Sequence, residues 1–281
     1  MGMIPEQPNL DAEVARGFGD EWTRFDQTAL SADDRARIWH DYFDLFPWDK
    51  LPAGARGIDV GCGSGRWAAL VAPKVGHLLC IDASVDALEV ARRNLAALSN
   101  VQVIEASVDS LPVEDASQDF IYSLGVLHHV PDTTAAVRSV AAKLKPGAPL
   151  LLYLYYDFEN RPAWFRALWR TSELVRATVS RSPHGVRYVL SQIIAAGIYW
   201  PLARAARRAE RSGRVVDTWP LAYYRDKGFY VMRTDALDRF GTRLEQRFSR
   251  ADIAAMLRAA GCIDPIFSAH APYWVVLARK S

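Results

Sequence analysis

The chain has few cysteines, almost no net charge and no long apolar run. Three cysteines occur in 281 residues, Cys62, Cys80 and Cys262, and none forms a CxxC pair. So sparse and odd a set excludes a disulfide framework and a cysteine-based zinc site, and makes the reducing cytoplasm the expected compartment. The 34 Lys+Arg against 32 Asp+Glu leave a net charge of +2, which excludes a strongly basic nucleic-acid binder and a long acidic tail. No stretch reaches the roughly 18 uninterrupted apolar residues of a membrane span. The first 22 residues carry acidic side chains and no apolar run, unlike a signal peptide. There is no internal repeat and no low-complexity tract. What is present is half apolar (50%) and 23% charged, enough for one large α/β domain with an insertion and a core that needs no staples.

Residues 1–56 read as a helical lead-in. Ser31 is placed to cap a helix over Ala32–Phe46, with Asp33 and Asp34 in its first turn. The pattern then changes to short apolar runs separated by helical stretches. Strands are expected at 57–60, 77–82, 101–106, 119–124 and 149–156, and helices at 66–74, 85–98 and 133–144. That alternation predicts βαβ units, a doubly wound, mostly parallel seven-stranded Rossmann-like sheet, and a ligand crevice at the carboxyl ends of its strands. A helix at 250–260 and strands at 262–269 and 273–279 complete it. The link His270-Ala271-Pro272 is too short for a crossover helix, so the last strand should be antiparallel.

Four segments follow: 1–56, a sheet core over 57–155, an insertion over 156–248, and a closing unit over 249–281. The insertion holds 15 of the 31 aromatics, and its 17 Lys/Arg against 9 Asp/Glu make it net +8. Trp164, Leu168, Val175 and Val179 recur at helical spacing, as do Val189, Ile193 and Trp200, with Ile194 and Ile198 alongside. The expectation is a helical lid packed on the sheet. Residues 188–203 carry no charge, and Arg204, Arg207, Arg208, Arg211 and Arg214 follow. Peripheral membrane contact through 187–214 is a second expectation. The same arginines would also suit a phosphorylated or lipid-linked acceptor, or simply a solvated helix face.

The first strand runs into Asp59-Val60-Gly61-Cys62-Gly63-Ser64-Gly65-Arg66. Glycines there let the backbone turn sharply and approach a ligand, and a helix start after them would offer free amides to an anion. A dinucleotide fingerprint wants glycine where Arg66 stands, which disfavours a nicotinamide-dependent reductase. Asp82, at the tip of the second strand, can accept both hydroxyls of a ribose.

IDVGCGSG (58–65), Asp82, SVDSLP (107–112) and FIYSLGVLHHVPD (120–132) together resemble class I S-adenosylmethionine-dependent methyltransferases of the small-molecule type that carries a "LHHV" motif. The resemblance covers 57–155 by motif and 250–279 by topology. It implies that S-adenosyl-L-methionine binds and leaves as S-adenosyl-L-homocysteine. Asp59, Gly61, Cys62, Gly63 and Gly65 would shape the loop around its methionine part. Asp82 would hold the ribose, with Ala83 beside the adenine. Ser107, Val108 and Asp109 stand where the family often places an acid against the adenine, and Leu124 and Gly125 would face the methyl. The Asn/Asp-Pro-Pro-aromatic motif of nucleic-acid amino-methylases is absent at Ser123–Leu127, so the expected partner is a small-molecule acceptor and not a nucleic acid.

Methyl transfer from a sulfonium is an in-line displacement that needs a base only if the nucleophile must lose a proton. His128 and His129, just past the fourth strand, are the candidate base for a hydroxyl acceptor, or else a packed pair that caps the loop. No carboxylate pair stands at ligand spacing with them, so no metal is expected. Trp22 or Phe25 would close over the cofactor, or pack a helix onto the sheet. Trp219, Tyr223, Tyr224, Arg225, Tyr230 and Arg233 look like an acceptor wall, with aromatic faces between charges. The leading expectation is methylation of a hydroxyl on a sugar, polyketide or lipid-linked compound. The alternatives are carbon methylation of an isoprenoid or quinone-like acceptor, and a non-catalytic protein that only binds the cofactor.

Overall fold

The computed structural model describes residues 9–281. The part of the leader reading that falls on residues 1–8 lies outside the described residues. The chain opens with α1 (Ala12–Arg24) and α2 (Ala32–Phe43). Asp11 caps the first, and the Ser31 hydroxyl accepts from the Asp34 amide at 3.0 Å to cap the second, as expected. Then come β1 (Arg56–Val60), α3 (Ala68–Val71), β2 (His77–Asp82), α4 (Val85–Leu95) and β3 (Val101–Glu105). After β4 (Phe120–Leu124), α5 (Thr133–Ala142) and β5 (Pro149–Tyr153), the insertion supplies α6 (Ala163–Val179), α7 (His184–Ile194), α8 (Trp200–Arg211) and α9 (Phe229–Gly241). The chain closes with α10 (Arg250–Ala259), β6 (Cys262–Phe267) and β7 (Val275–Lys280).

The seven strands form one sheet in the order β3-β2-β1-β4-β5-β7-β6. β1 to β5 are parallel, and β7 runs antiparallel between β5 and β6. The strand order reverses between β1 and β4, and in such sheets the ligand crevice opens at the carboxyl ends on either side of that point. Alternate side chains build two cores. Ile58, Ile81, Ile121 and Leu150 face α5 and α10 through Val137 and Leu257. Leu78, Cys80, Phe120 and Tyr122 face α2 and α4 through Ile38, Phe43 and Leu88. Cys80 and Cys262 are core residues, as their strand positions implied.

Three expectations change. The helix expected at 66–74 is one α-helical turn, α3, continued as a 3₁₀ turn over Ala72–Lys74 around Pro73, because proline removes a donor and crowds the preceding turn. β5 ends at Tyr153 rather than running to 156. Tyr156 instead bridges Phe248, at the far end of the insertion. Of the insertion, Tyr224, Tyr230 and Val231 pack against the sheet core, but most large apolar side chains of α6, α7 and α8 do not. Trp164, Leu168, Val175, Val189, Ile193 and Trp200 are exposed. The insertion builds its own core from the opposite faces, where Val179, Ala195, Tyr199 and Ala203 meet Met232, Ala236 and Phe240 of α9. Alanines let those helices approach closely, and the larger residues are left outside. The turn joining α7 to α8, Ala195–Tyr199, is a π-helix, a distortion that often accompanies a functional site. Among the described residues, no helix is long and apolar enough to cross a membrane.

Candidate active site

The loop after β1 is shaped by its backbone. The Gly61 and Cys62 amides both donate to the Ile81 carbonyl, at 2.7 and 3.0 Å. The Gly63 amide donates to Asp82 Oδ2 at 2.9 Å, and the Ser84 amide to Asp82 Oδ1, also at 2.9 Å. Asp82 therefore locks two loops together, and each oxygen keeps a second lone pair for a hydroxyl. Gly61 and Gly63 have φ of +76° and +53°. A Cβ on Gly63 would stand 2.7 Å from Trp22 Nε1, so the indole on α1 sits directly over the loop.

A cavity of about 600 Å³ starts at this loop, well within the usual size for a small-molecule site. Gly61, Asp82, Ala83, Ser107 and Val108 line one end. Leu124, Gly125, Trp22, His129, Trp219, Tyr223 and Tyr224 line the cavity as well. The remaining expected residues stand behind the wall. The Asp59 carboxylate accepts from the Tyr122 hydroxyl at 2.9 Å, and burial pushes its pKa up to about 7. Cys62 is buried beneath the loop, and contact with Cys80 and burial push its thiol well up, so it is no thiolate. Gly63 and Gly65 turn the chain without facing the cavity. Asp109 is taken up by the Ser107 hydroxyl and the Asn9 amide. Phe25 is buried against Tyr188 and Tyr230, so of the two lead-in aromatics only Trp22 covers the site.

On the acceptor side, Arg225, Tyr230 and Arg233 are not on the wall, which corrects their expected role. Arg225 pairs with Glu210, and the Tyr230 hydroxyl accepts from the Gln27 amide. Arg233 donates to the Tyr188 hydroxyl at 2.9 Å. The face of α9 that turns to the cavity carries Thr234, Asp235 and Asp238, and helical periodicity points Arg233 toward α7 instead.

The two histidines separate. His128 is fully buried, its ring 3.8 Å from that of Tyr155, and neither of its nitrogens has a partner. Burial, then His129 and Arg247, hold it well below the usual histidine range, so it is neutral. His129 lines the cavity. Its Nδ1 lies 2.7 Å from the Leu244 carbonyl oxygen. A carbonyl only accepts, so Nδ1 carries a proton, and in the neutral ring the lone pair is on Nε2. That Nε2 is buried, has no hydrogen-bond partner, and stands 3.9 Å from Asp238 Oδ1.

Several wall residues escaped the sequence reading. Glu21 on α1 joins Asp235 and Asp238 on α9. Burial pushes all three carboxyls up, Asp235 to about 6; Asp238 adds to this at Glu21 and Asp235, and Glu245 adds to it at Asp238. The Tyr224 hydroxyl donates to Asp235 at 2.8 Å, and Tyr155 donates to Asp238. Facing them is Arg66, whose guanidinium lies 4.6 Å from the Trp67 ring centroid and 5.4 Å from that of Trp22. Arg66 makes no ion pair among the described residues. With α3 reduced to one turn, this side chain rather than a helix start is the cationic group that an anion such as a carboxylate would meet. The i, i+3 spacing of Asp235 and Asp238 in an apolar stretch was the one signal available for the acids.

A loop of this kind at the switch point of a mostly parallel sheet, with an acid at the neighbouring strand tip that has lone pairs left for hydroxyls, is the crevice of a ligand-binding doubly wound α/β domain. Residues 58–147 match the family described as "Methyltransferase domain", and with the motifs above they form a class I S-adenosylmethionine-dependent methyltransferase domain. A ubiquinone biosynthesis O-methyltransferase of Xanthomonas axonopodis pv. citri is 34% identical over 135 residues, 47% of this chain and 55% of that protein. A demethylmenaquinone methyltransferase of Staphylococcus saprophyticus is 30% identical over 105 residues, 36% of this chain and 45% of that protein. The chain thus spans about half the length of the curated relatives it matches. Among solved structures, a Bordetella parapertussis protein described as a possible exported protein superposes with a TM-score of 0.53 at 18% identity, covering 93% of this chain and 79% of its own. A chain of the Haloferax volcanii complex between the Trm112 methyltransferase activator and a methyltransferase gives 0.51 at 16%, covering 90% and 80%. These two likenesses concern the fold alone.

Proposed function

We propose that this protein transfers the methyl group of S-adenosylmethionine to a hydroxyl of a small ring compound, with His129 as the general base. The observation that carries this is His129 itself. Its Nδ1–H is pinned to Leu244, and its free Nε2 is buried on the wall of the cavity that begins at the glycine loop. The cofactor, when bound, supplies an electrophilic methyl on a sulfonium. The rest falls to the chain. Asp82 accepts the ribose hydroxyls and Arg66 meets the methionine carboxylate. Trp22 and α1 shut out water. His129 Nε2 takes the acceptor's proton as the oxygen attacks, and Asp238, 3.9 Å from that same nitrogen, faces the imidazolium so formed. The chamber beyond His129 is walled by Tyr155, Trp169, Trp219 and Tyr224, which suits a flat acceptor ring.

The test is His129→Asn, assayed with catechols and with glycosides as acceptors. The expected result is a drop in kcat of about 10²–10⁴-fold, the usual worth of a positioned base, with adenosylhomocysteine affinity unchanged. A variant that turns over at the wild-type rate would remove the base assignment. The names of the two relatives favour a quinone-like ring, on which carbon is a second possible nucleophile. The product's NMR spectrum, methoxy against ring methyl, separates the two.

A further inference from the structure

The lid carries a surface that the chemistry above does not use. Among the described residues, ten of the fourteen exposed large apolar side chains fall between Trp164 and Leu202. On α6, Leu174 apart, they are Trp164, Leu168 and Val175, at spacings that share one helix face. On α7 they are Val186, Val189 and Ile193, again on one face. Ile198, Trp200 and Leu202 continue the series through the π-turn into α8. These nine are between 41% and 61% exposed, although a protein of this size has buried core positions to offer them. Leu168, Val175, Ile198 and Leu202 also line the cavity. The exposed apolar surface is therefore the rim of the entrance through which an acceptor must pass.

Its charge has one sign. Between residues 163 and 211 there are nine arginines and two glutamates. Arg166, Arg170, Arg208 and Arg211 are exposed and make no ion pair among the described residues. On α8, Arg204, Arg207, Arg208 and Arg211 line a shallow cleft with Trp200, and the Arg204 guanidinium lies 4.0 Å from the Trp200 ring centroid. Trp200 thus shares the arginine face of α8 while Leu202 lies opposite, and exposed tryptophan and leucine beside clustered arginines are the composition of a helix that lies in a lipid headgroup layer. A second copy of the chain fits poorly. A two-fold contact would place this patch against itself and oppose arginine to arginine.

We propose that the lid, through α6, α7 and α8, docks on an anionic lipid bilayer with the cavity entrance facing it, so that an amphiphilic acceptor enters the chamber from the membrane. The apolar side chains reach below the headgroups and the arginines meet lipid phosphates. No helix spans the bilayer, so the association is peripheral and reversible.

The test is flotation of the full chain with phosphatidylcholine vesicles, with and without phosphatidylglycerol. It needs neither methyl donor nor acceptor, so its outcome is separate from that of the methyl-transfer assay. The wild type should float with the phosphatidylglycerol-containing vesicles, remain in solution with phosphatidylcholine alone, and bind less as salt is raised. Val189→Asp/Ile193→Asp and Arg208→Glu/Arg211→Glu should each lower partitioning about tenfold or more, with adenosylhomocysteine affinity and Tm unchanged. Three results would overturn the proposal. The first is failure of the wild type to float on either vesicle, and the second is flotation of both double variants to the wild-type extent. The third is a lipid-free dimer that Val189→Asp/Ile193→Asp converts to monomer, which would show the occupant to be a second copy.

Discussion

Replacing Gly61 with alanine tests the central geometric claim, that the cofactor loop and the base-bearing loop are in contact through one glycine. Gly61 sits at φ +76°, where an L-residue's Cβ crowds the following carbonyl at about 1–2 kcal/mol. The new Cβ would also lie 2.4 Å from both Val126 methyls, against 3.4–4 Å for an ordinary contact. Relieving such an overlap by backbone shifts costs about 1–3 kcal/mol. The sum, about 2–5 kcal/mol, is a large share of the roughly 5–15 kcal/mol that holds a domain folded. In a chain of this length it should lower Tm by about 5–15 °C. Val126 also leads directly into the 3₁₀ turn that carries His129, so kcat should fall along with cofactor affinity. Calorimetric melting and adenosylhomocysteine titration read both effects. The double variant Gly61→Ala/Val126→Ala separates the two costs, because it frees the steric part and leaves the backbone part. If Gly61→Ala melts within about 2 °C of the wild type, or if the double variant recovers nothing over the single one, the contact drawn between the two loops is wrong.

Two further substitutions address the acids behind the loop. Asp82→Ala removes two charge-assisted acceptors from the Gly63 and Ser84 amides, so adenosylhomocysteine should bind at least about tenfold more weakly in calorimetry. Affinity within twofold would separate Asp82 from the ligand. Asp59, with its pKa raised to about 7, makes folding pH-dependent. The folded state holds that proton more tightly than the unfolded chain does. The stability it contributes is whole below about pH 4 and is lost as pH rises through 7. Asp59→Asn keeps an acceptor for the Tyr122 hydroxyl and cannot ionise, so its Tm should fall less than the wild type's between pH 5 and pH 8. Parallel Tm curves would show that Asp59 titrates normally.

How far the sequence could be read depended on how local the cause was. β1, β2 and β4 were legible because strands buried on both faces are unbroken apolar runs between turn residues. Asp82 and the glycines were legible because a strand tip and a tight turn constrain the residues that occupy them. The histidine pair was visible, but the choice of His129 was not, since it depends on the Leu244 carbonyl, 115 residues away. The acids Glu21 and Asp238 are separated by more than 200 residues and meet only because α1 and α9 pack together. The faces of the lid were misread for a related reason. Trp164 and Leu168 have the helical period of a buried face, but periodicity does not say which of two apolar faces is covered. Ala195 and Ala203 gave the closer packing, so the larger side chains went to the outside.

The division of labour between sheet and lid follows from the charge that the proposed reaction must carry. The reacting groups carry one positive charge before methyl transfer and one after it. That charge starts beside the glycine loop and ends on the imidazole of His129. The sheet supplies the two fixed points, the loop and the histidine, and rigid strands hold both in place. The compensating charges come from the lid and lead-in: Glu21, Asp235 and Asp238 lie along the same cavity wall, and Asp238 is 3.9 Å from the nitrogen that becomes protonated. Burial has already raised these carboxyls, so their ionised forms are held at a cost when the chamber contains no cation and become favourable when it does. Lid and cofactor should therefore stabilise each other. A cationic sulfonium gains from these carboxyls and the neutral thioether product does not, so the product should hold α1 and α9 less firmly than the methyl donor does.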